Sequence, residues 1–357
     1  MIGDMATVFV SGATGFIASH LVEQLLDAGH RVRGSVRSLK DPAKVAHLRA
    51  LAGADDRLEL VEADLLAPDA FGGRLDGCDV VMHTASPYRL DVRDPQRDLV
   101  DPAVQGTRAM LEAACATPGI RRVVLTSSIA AITDQPDRGR VYDETDWNTT
   151  SSLQRNPYHY SKTLAERAAW QFVEERRPAW DLVVINPSVV IGPSMTSALN
   201  TSNGIIAALL NGTYPVIFDL TWAMVDVRDV AAAHVRAMET AAAAGRYVCS
   251  ADSIPARRVV TLLRENGYDA YRLPSIGFDN PVGTWLAKLA SWTQPKGIGQ
   301  YLRTHVGAPL RFDNTKIRRE LGLEFRPIEP TILETAADLE RWGHLRGRRG
   351  GTNDPLR

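Results

Sequence analysis

The sequence predicts a doubly wound α/β fold, with a parallel sheet in its first half and a smaller mixed α/β lobe toward the C-terminus. Three observations predict it. Short Val- and Ile-rich runs alternate with helical patterns over the first 190 residues, a glycine-bearing turn follows the first run directly, and the rhythm is lost further on.

Taken in order, TVFVSG, RVRGSV, RLELVEA, DVVMHTA, RRVVLTSS and DLVVINPS read as buried strands. The helical patterns LVEQLLDAG, PAKVAHLRALAG, VQGTRAMLEAAC and SKTLAERAAWQFVEE stand between them, the βαβ rhythm of a parallel sheet. Beyond it, NGIIAALLNG and DVAAAHVRAMETAAAA read as helices, the latter including its alanine run at 241–244, and RYVCSA reads as a strand. Pro and Gly recur through 271–310, and ILETAADLERWGHL reads as a last amphipathic helix. The expected division is a nucleotide-binding lobe over 1–190, with segments around 225–265 returning to it, a substrate lobe over 191–345, and a mobile tail over 346–357.

Composition narrows the function. Lys and Arg number 41 against 42 Asp and Glu, so neither nucleic acid nor an acidic membrane is an expected partner. No uninterrupted apolar stretch reaches the ~18 residues of a membrane span. The start MIGDMATVFV lacks the charge and apolar length of an export signal, so a cytoplasmic location is expected. Cys78, Cys115 and Cys249 lie far apart without CxxC spacing, which argues against disulfides and zinc. No metal site is expected among the histidines; His83, at a strand end, reads as a packed residue.

The segment VFVSGATGFIASHLVEQLL sets Gly12 and Gly15 between a strand and a helix, with Ala18 as a third small residue. Small residues there admit a pyrophosphate to the backbone, and its charge is held at the helix N-terminus, although any tight strand-to-helix turn also needs glycine. An NAD site usually ends its second strand with an acidic residue; this chain offers Arg37, with Lys40 and Lys44 behind it. Cations suit a 2′-phosphate, so NADPH or NADP is the expected cofactor and NAD the less favoured one. Asp64 and Leu65, after the third strand, are candidates to line the adenine, and a strand-end turn explains the aspartate equally well.

YHYSK places Tyr158 and Lys162 four residues apart at the start of a helical pattern, hence on one face. An ammonium beside a phenol favours the phenolate and prepares it for acid–base work. Tyr160 is off that face. An isolated YxxxK is ordinarily a surface pair, but here Ser127-Ser128 end a strand one βα unit earlier, and strand ends face the ligand crevice in such sheets.

Together, GATGFIA, the Ser-Ser strand end, YxxxK and NPSVVIGP resemble the extended short-chain dehydrogenase/reductase family, with its Rossmann-type nucleotide-binding lobe, over roughly residues 5–342. SGATGFIASH, VRGSVRS, HTASPY, AVQGT and NPSVVIGP are most similar to the branch of fungal aldehyde and methylglyoxal reductases, dihydroflavonol 4-reductases and cinnamoyl-CoA reductases. The resemblance implies that Ser128 orients a substrate carbonyl, Tyr158 donates the proton, and Lys162 binds the nicotinamide ribose while tuning the tyrosine. It implies Gly12, Gly15, Phe16 and Ile17 around the pyrophosphate, Arg37 and Lys44 on the 2′-phosphate, and Asp64 and Leu65 flanking adenine. Thr84, Ala85, Ser86 and Ser127 would lie beneath the cofactor, with Pro187, Val189 and Val190 near the nicotinamide. Substrate walls implied by relatives are Tyr88, Ile129, Asn203, Phe218, Trp222 and Met224. One departure is Thr133, where flavanonol reductases carry a substrate-holding asparagine, which speaks against a flavonoid.

The expected activity is therefore reversible NADPH-dependent reduction of an aldehyde or ketone to an alcohol, in a largely apolar pocket, by a monomer or homodimer. The alternatives are an NAD-dependent sugar-nucleotide epimerase or dehydratase, a hydroxysteroid dehydrogenase, and a non-catalytic dinucleotide sensor; Arg37 argues against the first two and the Ser128, Tyr158 and Lys162 set against the third.

Overall fold

A computed structural model describes residues 5–67, 69–86, 92–294 and 296–347, with only the backbone of 296–298. Tyr88 and most of the expected tail lie outside these residues. All six early runs form strands: β1 (Thr7–Val10), β2 (Arg31–Val36), β3 (Leu58–Glu62), β4 (Val80–His83), β5 (Arg122–Thr126) and β6 (Asp181–Pro187). After them come β7 (Val189–Ile191), β8 (Val216–Phe218), β9 (Thr221–Asp226), β10 (Gly245–Cys249), β11 (Asp252–Pro255) and β12 (Ile276–Phe278).

Seven strands form one parallel sheet in the order β10-β6-β5-β4-β1-β2-β3. Helices cover both faces, as a sheet of buried apolar strands requires. Phe16–Asp27 and Val227–Glu239 pack on one side through Leu21, Leu25, Val230 and Met238, and Asp101–Ala116 and Pro157–Arg176 on the other through Met110, Leu111, Ala169 and Phe172. The chain winds outward from β1 through β2 to β3 and from β4 through β5 to β6. The strand order thus reverses between β1 and β4, and the crevice beyond their C-terminal ends is where such sheets take ligands.

A second core, containing Leu210, Trp222, Ile254, Val260, Leu263 and Ile332, belongs to the smaller lobe. The lobes interleave more than the sequence predicts. β10 and helix Val227–Glu239 return to the large sheet, but β11 pairs antiparallel with β9, and Val259, Val260 and Leu263 enter the second core. Ile317 and Leu321, on helix Thr315–Leu321, return to the first core.

Two helical readings need correction. PAKVAHLRALAG forms only a 3-10 turn at Pro42–Lys44 and one helical turn at Ala46–Arg49, because the backbone leaves helical geometry at Val45 (φ −117°, ψ −1°) between them and the left-handed Gly53 (φ 75°) follows. The alanine run at 241–244 is a turn, for helix Val227–Glu239 ends before it. The buried Arg122 explains that end: Nη1 donates to the carbonyls of Ala237 and Thr240, each at 2.6 Å, and Nη2 to that of Ala241 at 3.2 Å. A cation at the helix C-terminus satisfies the carbonyls that another turn would have used.

Candidate active site

The turn after β1 is built around the buried Ser11. Its Oγ accepts from the backbone N–H of Thr84 at 3.0 Å and of Ala85 at 2.9 Å, so its own proton points to His83 Nδ1, 2.9 Å away. His83 is thereby the Nε2–H tautomer, and burial lowers it to about 3, which keeps it neutral. It is a packed residue that ties the ends of β1 and β4 together.

Gly12 follows with φ +67°, and a Cβ there would lie 3.1 Å from that of Ala85. Only glycine fits both the left-handed backbone and the close approach. The N–H of Gly12 donates to Ser35 Oγ at 3.0 Å and that of Ala13 to the Ser35 carbonyl at 2.8 Å, which ties the turn to the end of β2. Gly15 then opens helix Phe16–Asp27, whose N-terminus has no side-chain cap and no acidic residue in its first turn. Phe16 and Ile17 pack against the first core.

Arg37 is exposed one residue beyond β2, and Lys44, also exposed, stands 3.9 Å from Asp41. Asp64 closes a turn by accepting from the N–H of Leu66 at 3.1 Å, while Leu65 fills the space where Gly106 lacks a side chain.

On the other side of the crevice, helix Pro157–Arg176 begins after Asn156, which takes the left-handed conformation at φ 48°. The fully buried carboxylate of Asp134 anchors that entry, accepting from Asn156 Nδ2 at 2.9 Å, from Arg155 Nε at 3.1 Å, and from the Thr150 hydroxyl. Tyr158 and Lys162 share a face, with Nζ 5.9 Å from the phenol ring centroid. Lys162 Nζ donates to Ser86 Oγ at 2.9 Å, and burial lowers the ammonium to about 8. Ser128, half-buried after β5, accepts the Ala130 N–H at 3.1 Å and caps the 3-10 turn Ile129–Ala131.

Behind these residues lies an arrangement the sequence reading missed. Glu166, one helical turn beyond Lys162, is fully buried. Its carboxylate accepts from Arg246 Nε on β10 at 2.5 Å, from Asn186 Nδ2 on β6 at 2.7 Å, and from the Ser127 hydroxyl. Asn186 Nδ2 also reaches the Ser128 carbonyl at 3.2 Å. Arg246 in turn donates to the carbonyls of Glu144 and Asp146 at 3.0 and 2.6 Å and stacks 4.0 Å from the Trp147 ring centroid. The hydroxyl of Ser127 is thus turned inward onto Glu166, while the residue still lines the small pocket that Ser86 and Lys162 border.

The expected substrate walls separate into groups. Ile129 follows Ser128 directly, and Phe218 lines an open apolar groove. Trp222 and Met224 are buried in the second core, and Asn203 spends both ends of its amide on Gly192, donating to its carbonyl at 2.8 Å and accepting its N–H at 3.3 Å. Those three are structural residues. Pro187 ends β6 and Val189 is half-buried on β7, whereas Val190 is core. Thr133 donates to the Gln135 carbonyl at 3.1 Å. Cys78, Cys115 and Cys249 are free thiols, and among the described residues no three His, Cys, Asp or Glu side chains gather as a metal set.

Against known proteins, residues 8–249 match the NAD dependent epimerase/dehydratase family. The chain is 39% identical to cinnamoyl-CoA reductase CAD2 of Medicago truncatula over 93% of this chain and 95% of that one. It is 35% identical to the ketoreductase azaE of Aspergillus niger, over 93% of this chain and 97% of the relative. Among solved structures, yeast methylglyoxal/isovaleraldehyde reductase Gre2 complexed with NADPH aligns with a TM-score of 0.78 at 31% identity, covering 95% of this chain and 100% of that one.

Proposed function

We propose, from the premise that the chain belongs to the NAD dependent epimerase/dehydratase family of extended short-chain dehydrogenases/reductases, that it is an NADPH-dependent carbonyl reductase. The observation that carries the reading is Tyr158 and Lys162 on one helix face, with Ser128 at the neighbouring strand end and an uncapped helix N-terminus beside a positive-φ glycine across the crevice. Relatives named for reductases, and one solved with NADPH, support it.

The residues present fit that cofactor. The glycine cradle at Gly12, where a Cβ would crowd Ala85, and the N-terminus of helix Phe16–Asp27, which has no side-chain cap, suit a pyrophosphate. Arg37, a cation beyond the strand that Ser35 ties to the cradle, suits a 2′-phosphate. Bound NADPH supplies the hydride. The chain's own part is to hold and protonate the substrate oxygen. Ser128 donates a hydrogen bond to it, and Tyr158 delivers the proton as negative charge develops. Lys162 holds the cofactor ribose and, as a cation near the phenol, favours the phenolate that remains.

Ile129, beside Ser128, gives the site an apolar edge that suits aryl and aliphatic aldehydes or ketones. The test is the rate of NADPH and, separately, NADH consumption against a panel of such carbonyls, with cinnamoyl-CoA included. Turnover faster with NADPH is the expected result. No turnover, with NAD released on denaturation, would replace the reading by that of an epimerase or dehydratase.

A further inference from the structure

We propose that Asn186 is a positioning residue that aims the Ser128 hydroxyl at the substrate oxygen, an inference that rests on the reductase reading and on Ser128 as its hydrogen-bond donor. The regular pairing of β5 with β6 ends at Ser127, whose N–H donates to the Ile185 carbonyl at 2.8 Å. Ser128 therefore lies one residue beyond the ladder. The next bond across the two strands comes from a side chain: Asn186 Nδ2 donates to the Ser128 carbonyl at 3.2 Å. That carbonyl also accepts the Ala131 N–H at 3.0 Å, while Ser128 Oγ accepts the Ala130 N–H at 3.1 Å. With its oxygen so engaged, the hydroxyl keeps its proton for the substrate, and the direction of that proton follows the backbone at residue 128.

The chemistry of the position is specific to an amide. Asn186 is fully buried, and its Nδ2 faces two acceptors, the Ser128 carbonyl and, at 2.7 Å, the Glu166 carboxylate. One nitrogen with two protons serves both, whereas a carboxylate in its place would be set against Glu166 and a hydroxyl has a single proton. The same reasoning fixes the orientation of the amide, because a flipped Asn186 would turn its oxygen on two acceptors. Its Oδ1 has no partner among the described residues, so the amide contributes through its nitrogen. Glu166 supplies the fixed end of the link. It is bound to Arg246 on β10 and to the Ser127 hydroxyl, and it keeps both when the amide is removed. The fold then retains its anchor while Ser128 loses its tie.

The test is a double-variant cycle in the full chain, read as kcat with NADPH and the fastest-reduced aldehyde or ketone of the panel, beside NADPH affinity by fluorescence titration. Asn186→Ala and Asn186→Leu, the second nearly filling the volume of the amide, are each expected to lower kcat about 10- to 100-fold with NADPH affinity kept. In a Ser128→Ala background the same changes are expected to alter kcat less than about twofold, because no hydroxyl is left to aim. Full activity of Asn186→Leu overturns the proposal and leaves the amide as filling. So does an equal loss with and without Ser128, or a fall of NADPH affinity in step with kcat, either of which makes Asn186 part of the scaffold. Ser128→Ala with undiminished kcat is a separate failure, which removes Ser128 from the mechanism and the aiming of its hydroxyl with it. No turnover by the wild-type chain removes the reductase reading itself.

Discussion

Helix Pro157–Arg176 is held in opposite ways at two points one turn apart. At Lys162 the side chain borders the crevice and, among the described residues, makes one hydrogen bond, to Ser86. At Glu166 the carboxylate is sealed from water and takes bonds from β6, from β10 and from the end of β5. Residues that exchange partners during a reaction are sparsely bonded, while the residue that only holds is saturated. Precision at the crevice therefore comes from behind it, because a buried carboxylate bonded to three separate strands fixes their arrangement, even though Asn186 Oδ1 and Arg246 Nη2 in the same network are buried without a partner among the described residues.

The comparison breaks most sharply at the crevice. Tyr158→Phe is expected to lower turnover about 10²- to 10⁴-fold while NADPH affinity is kept, as steady-state rates and fluorescence titration would record. Undiminished turnover would remove Tyr158 as the acid. At the sealed point, Glu166→Ala is expected to cost about 3–5 kcal/mol of stability, since it leaves Arg246 buried without its partner. A denaturant midpoint equal to wild type would mean that the pair is open to water in solution.

Smaller effects sharpen the contrast. Arg37→Asp is expected to shift the NADPH-to-NADH preference about tenfold or more, the worth of a charge-assisted hydrogen bond, read from kcat/KM with each cofactor. The pH profile should separate Lys162 from its surroundings. Burial lowers its ammonium to about 8, so the cation is present below that pH, and kcat/KM is expected to fall as pH rises through it. Lys162→Arg would carry its charge past that limb, and an identical profile would assign the limb elsewhere. Asn203→Ala is expected to cost only about 1–2 kcal/mol of stability with catalysis retained, because the amide serves Gly192. A changed substrate range would return Asn203 to the pocket.

These contrasts also mark what was legible in the sequence. Strands β1, β4, β5 and β6 were readable because strands covered on both faces are continuous apolar runs, β2 and the partly exposed edge strand β3 because their Val and Leu residues recur between polar ones, and the Gly12 turn because a positive φ leaves a glycine in the text. Tyr158 and Lys162 were readable because their spacing is local. Glu166, Asn186 and Arg246 were not, since three elements far apart in sequence bring them together and no local spacing announces a buried ion pair. The one available sign was a lone carboxylate on the side of the helix where Ala165 and Ala169 face the core, a turn after Lys162. Depth was the other failure: Trp222 and Met224 come from a segment that borders a pocket, and the number of layers covering it is a tertiary fact.

The return of β10 to the edge of β6 has a consequence for synthesis of the chain. Residues 245–249 complete the large sheet and Ile317 and Leu321 complete its core, so a nascent chain that has all of β1 to β6 still presents β6 as an open edge. Arg246 has not yet arrived to meet Glu166, and Arg122 has no helix end to grip. Until the ribosome has passed both lobes, the nucleotide-binding half remains an unfinished and adhesive intermediate, and a fragment cut near residue 190 would inherit that state permanently.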